Sequence, residues 1–426
     1  MSNQQEFIDR LPSQKKKKEF LVIIIVCVLL ISIVFVYTYI RNYPISSENF
    51  PIINIATEKN IESGDYVDGT FELNCPDTHK SVEPIDLKIK IRGRFNKYND
   101  AIPKKGYRFE LSEPTSLLGM REDDDWMLFA MYSDLPRMQI KLAMELYKSL
   151  LPSNPTAILP DSEYVIVYIN RELQGLYLLV EKNDRRLFAL DDAINDISSS
   201  FIFQSAEPHK NFYFYEHDKW EQDWPNEYDG IYIMDPIMYE LIHYIQYTPD
   251  EEFFSLENGI YSKFDRQNLI DFYVFNFFIL HDDFWEHNFF IVRNSFPGKA
   301  FLVPWDFDRC FGQWLRRTSA PEKNDEDFAR EHNLLFDRLL KSAEFKNECK
   351  TRWFNLRDTI WTENAIIDLL SELYDEIKDV LDIDTNLWYH YLWEENWEEE
   401  IDKSIDHVFD WIPERLEFCD AYFSEF

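Results

Sequence analysis

Beyond residue 50 the chain opens with alternating apolar and polar positions. Leu87, Ile89 and Ile91 are interleaved with Lys88, Lys90 and Arg92, the period-two signature of a half-buried strand. Tyr107, Phe109 and Leu111 alternate with Arg108 and Glu110 and predict a second strand. Lys141–Leu151 shifts to helical spacing, with Leu142, Leu146 and Leu150 on one face. Tyr164–Ile169 and Leu176–Val180 predict two strands joined by a turn over Asn170–Gly175. Leu269–Leu280 is almost wholly apolar, which predicts a helix buried on every side. Phe289–Val292 and Phe301–Val303 predict a hairpin around Pro297-Gly298. From about Asn333 the spacing is helical to the end, carried by Leu334, Leu335, Leu339 and Leu340, by Ile366 to Leu370, and by Ile405 to Leu416. Strands followed by helices predict an α+β fold. The C-terminal helices are read as a cap on the same core.

The N-terminal segment obeys a different rule. Phe20–Ile40 carries no charged residue over 21 positions. As a helix it would span about 31 Å, the thickness of a bilayer core. Lys15–Lys18 precede it and Arg41 follows, so the positive-inside rule places residues 1–19 in the cytoplasm and exports the rest. Residues 41–50 read as a short linker. The expectation is a single-pass membrane protein whose main domain is extracytoplasmic.

Charge narrows the partners. The chain's net charge is −34, and residues 42–426 alone hold 38 basic against 75 acidic side chains, a net −37. Such a surface disfavours nucleic acid and anionic lipid. It attracts a basic protein or peptide at long range. Only 10 Gly are present, and neither G-x-x-x-x-G-K-[ST] nor G-x-G-x-x-G occurs, so any nucleotide grip must come from side chains and ordinary backbone. Cys75, Cys310, Cys349 and Cys419 lie beyond the span, and their spacing selects no disulfide pairing.

The candidate chemistry is concentrated in two short segments. Pro304-Trp305-Asp306-Phe307-Asp308 follows an apolar run, and alternation along a strand would point Asp306 and Asp308 the same way. About twenty residues earlier stand Asp282, Asp283 and Asn288. Carboxylates and an amide oxygen are the hard ligands that Mg²⁺ or Mn²⁺ takes. A spare carboxylate can accept a proton from a hydroxyl. Together they suggest metal-assisted phosphoryl transfer. The acidic run Asp123–Asp125 reads as a solvated turn.

The segment FYVFNFFILHDDFWEHNFFIVRN, a short turn, then FLVPWDFDRCFG resembles the core of the CotH kinase family, the spore-coat protein H-like atypical kinases. Upstream, IRGRFN at Ile91–Asn96, PKKGYRFEL at Pro103–Leu111, TSLLGMREDDDWMLFAMYSD at Thr115–Asp134, Arg137 and YINRELQGLYLLVEKND at Tyr168–Asp184 match in order. The resemblance covers roughly residues 50–420. It implies an atypical protein-kinase-like fold, with a kinase core over residues 51–318 and a helical part of the same domain over residues 319–426. It implies ATP with Mg²⁺ or Mn²⁺, and Ser or Thr of an envelope or coat protein as acceptor, with a basic, Ser-rich partner favoured by charge. Asp283 is then the catalytic carboxylate, with Asp306, Asn288 and Asp308 as metal ligands. Lys104 or Lys105 reaches the phosphates, Arg92 and Arg94 add to the clamp, and Glu181 holds the lysine. Asp282 is the ambiguous neighbour, and His281 and His287 are read as structural. The family often has small or Ser-rich residues after its Arg-Gly motif, where this chain has Phe95-Asn96-Lys97-Tyr98, and Gln204 stands where an acidic residue is often found. Two other readings stay open: a CotH-like binding or assembly protein of the envelope without catalysis, and a kinase of a non-protein acceptor.

Overall fold

The structure is a computed structural model that describes residues 50–62, 64–93, 102–226, 230–281, 283–315, 317–389 and 397–426. Residues 1–49, which hold the tail, the span Phe20–Ile40 and nearly all of the linker, lie outside the described residues, as do Arg94 and Asp282. Among the described residues no helix is long and apolar enough to cross a membrane.

The alternating segments form a closed barrel. Its strands are β1 (Ile52–Thr57), β2 (Val67–Asn74), β3 (Val82–Ile91), β4 (Tyr107–Ser116), β5 (Glu122–Phe129), β6 (Ser162–Ile169) and β7 (Glu172–Glu181), in the order β1-β2-β3-β4-β5-β7-β6. Parallel pairing of β1 with β6, Ile52 opposite Ile166, closes the ring. Ile53, Phe71, Ile89, Phe109, Trp126, Val165 and Tyr177 fill the interior. Strand alternation therefore turns Lys90, Arg108 and Met127 to the outer face. The β6–β7 turn is shorter than the sequence pattern suggests. Asn170 and Arg171 both adopt positive φ (51° and 67°), the geometry of a two-residue hairpin turn, and β7 begins at Glu172. Gly175, at φ 92°, sits beside a register shift in that pair; a Cβ there would lie 2.1 Å from Asp384 Oδ1. The acidic run Asp123–Asp125 is no solvated turn either. It lies inside β5, where Asp123 is buried and ion-paired to Arg121 at 2.7 Å and to Arg186.

A second sheet packs outside the barrel. It comprises β8 (Phe201–Ser205), β9 (Trp220–Trp224), β10 (Phe289–Arg293) and β11 (Ala300–Pro304) in the order β11-β10-β8-β9. Helix α1 (Gln139–Lys148) lies between the barrel strands β5 and β6 in the chain, and α2 (Met234–Tyr247) follows β9. Helix α3 (Arg266–Ile279) starts where the Asp265 carboxylate accepts from the Asn268 N–H, and every residue from Asn268 to Ile279 is buried, as an apolar sequence on all faces requires.

The C-terminal helices are α4 (Glu326–His332), α5 (Leu334–Leu339), α6 (Ala343–Asp358), α7 (Glu363–Trp388) and α8 (Trp397–Ser424). Leu335, Trp353, Leu370 and Phe423 belong to the same apolar cluster as Phe203, Phe272 and Val303. Arg415 on α8 is buried and donates to the carbonyls of Phe277 and Phe278, two of the C-terminal carbonyls that α3 leaves without intrahelical partners. The thiols of Cys75, Cys310, Cys349 and Cys419 are free and buried.

Candidate active site

Between the outer face of the barrel and the second sheet lies a cleft of about 1010 Å³. Ile91, Arg92, Arg108 and Met127 line the barrel side, and Gln204, Phe290, Trp305, Asn288 and Asp306 line the other. Lys90 and Lys182 complete a set of four cations. Lys90 and Arg108 stand directly opposite in the β3–β4 ladder. Like charges so placed repel, and an anion between them offsets that cost. Asp125 supplies part of it, 3.2 Å from Arg108 and 3.0 Å from Lys182. Arg92 lies over the Phe129 ring at 3.8 Å and feels the charges of Asp306 and Asp308.

The acidic side is organised by one hairpin. Phe289 pairs with Pro304 at the end of the β10–β11 ladder, and the Trp305 N–H donates to the Asn288 carbonyl at 2.9 Å. Asn288 and Asp306 thus flank the same end, both with left-handed backbone (φ 64° and 62°). That turn overrides the expected strand alternation: β11 stops at Pro304, and Asp306 and Asp308 are not two steps of one strand. His281 joins the two segments. Its Nε2 lies 2.9 Å from the Asp306 carbonyl, and its Nδ1 makes a 3.1 Å charge contact with Asp283. Asn288 donates to Asp283 at 3.2 Å, and Arg309 does so at 2.9 Å. Burial would raise the Asp283 carboxyl, but His281, His287 and Arg309 together hold it well below the usual carboxylate range. Burial would likewise lower His281; the Asp283 carboxylate outweighs it and raises the imidazole. Asp308 accepts from the Ser133 hydroxyl, and burial together with the Asp306 charge pushes its carboxyl up to about 7. The carboxylates of Asp283, Asp306 and Asp308 with the Asn288 amide form a set of hard oxygen groups of the kind that can bind a divalent cation and orient a hydroxyl.

The family model of CotH kinase protein matches residues 89–419, most of the chain. The chain belongs to the CotH kinase family. No curated protein matches it. Among solved structures it is similar to the Golgi casein kinase at 9% identity and a TM-score of 0.28, over 87% of this chain and 73% of that one.

The CotH match takes in all the cleft residues named above. His281, read from the sequence as structural, ties the Asp306 segment to Asp283. Lys90 and Arg108 were visible only as strand alternation, Lys182 only as the residue after β7, and which face meets the cleft depends on barrel closure. Lys104, expected on the phosphates, has no exposed surface. It is ion-paired to Asp384 on α7 at 2.6 Å and donates to the Leu176 carbonyl. Asp384 also takes Arg137 at 2.8 Å and the Leu176 N–H at 2.9 Å. Burial pulls Lys104 down to about 7, against the opposing pull of Asp384. Lys105 offers its carbonyl to the Tyr177 hydroxyl at 2.9 Å and does not line the cleft. Glu181, expected to hold the lysine, instead accepts the backbone N–H groups of Arg121 at 2.8 Å and Asp161 at 3.0 Å. The two side chains part ways: Lys104 turns to the Leu176 carbonyl of β7 and to Asp384, whereas Glu181, which ends β7, turns to the Arg121 and Asp161 N–H groups. The carboxylates Asp123, Asp125 and Asp184 also cluster, but Arg121, Arg186 and Lys182 already neutralise them.

Proposed function

We propose that this CotH kinase transfers the γ-phosphate of ATP to a Ser or Thr hydroxyl of an envelope protein, with Mg²⁺ or Mn²⁺. The observation that carries the reading is the convergence of Asp283, Asn288 and Asp306 at one hairpin end, facing Arg92, Arg108, Lys90 and Lys182 across the cleft. Asp306 and Asn288, with Asp308 beside them, would hold the metal, which neutralises phosphate charge when bound. The four cations would hold the phosphates. Phe290, Trp305 and Met127 offer apolar surface to the base, and Gln204 a polar edge.

In the transfer, the acceptor oxygen forms a bond to the γ-phosphorus while the bond from that phosphorus to the β–γ bridging oxygen breaks. ADP leaves, and the hydroxyl proton passes to Asp283. A carboxylate held so far below its usual range is a weak base. Its part is to accept the hydroxyl's hydrogen bond and aim it, taking the proton late, as suits a loose phosphoryl transition state.

The anchor is part of the proposal. Phe20–Ile40 would hold the domain at the outer face of the membrane, where ATP must be supplied locally, and the acidic surface would draw a basic, Ser-rich protein. The test is transfer of labelled γ-phosphate by the full chain in detergent, with Asp283→Ala and Asp306→Ala beside it. Label on protein, lost in both variants while ATP-free melting is unchanged, supports the reading. No label together with no ATP- and Mn²⁺-dependent thermal shift overturns it.

A further inference from the structure

The chain leaves β7 at Glu181 and runs along the cleft through Lys182 and Asn183. One arginine fixes both neighbours of Asn183. Arg121 donates to the Lys182 carbonyl at 2.7 Å and to the Asp184 carboxylate at 2.9 Å. Asp184 in turn accepts the Leu187 N–H at 3.0 Å. Asn183 between them is only 5% exposed, yet among the described residues neither its amide nitrogen nor its amide oxygen has a hydrogen-bond partner. Gln139 and Asn276 also leave an amide oxygen unpaired, but each donates from its nitrogen, to the carbonyls of Cys310 at 2.9 Å and Phe272 at 2.6 Å. A buried amide unpaired at both ends is costly to the fold and calls for a partner. This one lies on the wall of the cleft that Met127, Gln204 and Phe290 also line.

We infer that Asn183 reads the edge of the nucleotide's base, its amide pairing with the amino group and a ring nitrogen of adenine. The inference rests on the kinase reading and deepens it by naming the residue that sets base specificity. An amide carries an acceptor and a donor side by side. Adenine presents the complement, an amino donor next to a ring acceptor, and Asn pairs with such an edge through two hydrogen bonds. Met127 on β5 and Phe290 on β10 line opposite walls of the cleft. A flat ring between them keeps its faces against apolar side chains and turns its edge to polar ones. The terminal torsion of an amide side chain is broad, so Asn183 meets that edge by a turn about one bond. Its chain neighbours are already held by Arg121, so pairing demands little further ordering of the segment.

The test is nucleotide binding to the full chain in detergent with Mn²⁺, read as the thermal shift across titrations of ATP, GTP and purine riboside triphosphate, which is ATP without its amino group. Wild type is expected to bind ATP at least about fivefold more tightly than purine riboside triphosphate, the loss of one neutral hydrogen bond. Asn183→Ala should bind those two equally. Asn183→Asp should raise the ratio of GTP to ATP affinity by at least about tenfold, because a carboxylate accepts from two guanine donors and donates nothing to an adenine ring nitrogen. Equal binding of ATP and purine riboside triphosphate by wild type overturns the inference. So does an equal loss of both in Asn183→Ala, which would place the residue at the sugar or the phosphates, or a GTP-to-ATP ratio that Asn183→Asp leaves alone. In each of those cases nucleotide binding stands, and the kinase reading with it. A wild type whose melting none of the three nucleotides shifts overturns both.

Discussion

Lys104 and Asp384 give the sharpest separation between a structural and a catalytic role. Asp384 is fully buried and serves two cations: Lys104 at 2.6 Å and Arg137 at 2.8 Å, both also without exposure. It also accepts the Leu176 N–H at 2.9 Å. Asp384→Asn removes the carboxylate charge that both cations share. Breaking a buried ion pair from one side costs about 3–5 kcal/mol, because the partner stays buried and unpaired. At about 2 °C per kcal/mol for a chain of this size, the melting midpoint should fall by on the order of 6–10 °C. Lys104→Met is the asymmetric control. It leaves Asp384 paired to Arg137 and replaces a cation, whose pKa burial has pulled to about 7, with an apolar chain of similar length. Its cost should be under about 1 kcal/mol, and a gain is allowed. The pH profile carries the sign. A lysine at about 7 when folded and near its ordinary 10.5 when unfolded leaves the unfolded chain holding the extra proton between those values. Folding stability from this group therefore rises with pH across that window, by up to about 1.4 kcal/mol per unit, and is flat below about 7. Melting at pH 7.5 and 9 should show the rise in wild type and lose it in Lys104→Met. ATP and Mn²⁺ should still shift the melting of that variant. A Lys104→Met protein that melts normally but no longer responds to ATP would refute the reasoning and return this lysine to the phosphates.

Gly175→Ala should destabilise by at least about 2 kcal/mol, since the new Cβ would meet Asp384 Oδ1 at 2.1 Å at a φ of 92°; thermal melting reads it. His281→Ala should cut phosphotransfer on the order of 100-fold with little change in KM for ATP, because the imidazole fixes the Asp306 segment against Asp283; steady-state rates of folded protein check it. Arg92→Ala should raise KM for ATP by about tenfold, the loss of one charge-assisted contact, whereas Glu181→Gln should leave it unchanged and lower stability by about 1–2 kcal/mol. Kinetics and melting of the two variants side by side give both numbers.

The sequence made local elements legible wherever one period dominated. The strands around Ile89 and Phe109, the all-buried α3 and the β10–β11 hairpin all lie where alternation or continuous apolarity places them. It failed where tertiary partners decide. β9, Trp-Glu-Gln-Asp-Trp, has no clear pattern, because one of its faces borders the polar cleft. Asp123 looked solvated because its partners Arg121 and Arg186 lie on either side of it in the chain, and only the β5–β7 pairing brings Arg186 round. The candidate site divides the same way. Asp283, Asn288 and Asp306 carry a spacing signal and meet in space, whereas the cation set depends on which barrel face meets the second sheet. Lys104 was misplaced because its partner Asp384 lies 280 residues away.

The β10–β11 hairpin has a consequence for how this protein can vary. Asn288 and Asp306 are 18 residues apart in the chain, yet a five-rung ladder sets their separation in space. The connection from Asn294 to Lys299 lies at the opposite end and contributes nothing to that distance. A change of length there leaves the five rungs, and with them the two proposed ligand positions, in place. One residue inserted within either strand would shift the register and turn Asp306 away from Asn288. The hairpin acts as a ruler whose graduated part tolerates no shift of register, while its far end, held to Asp191 and Ser198 by Asn294 and Phe296, does not set the reading.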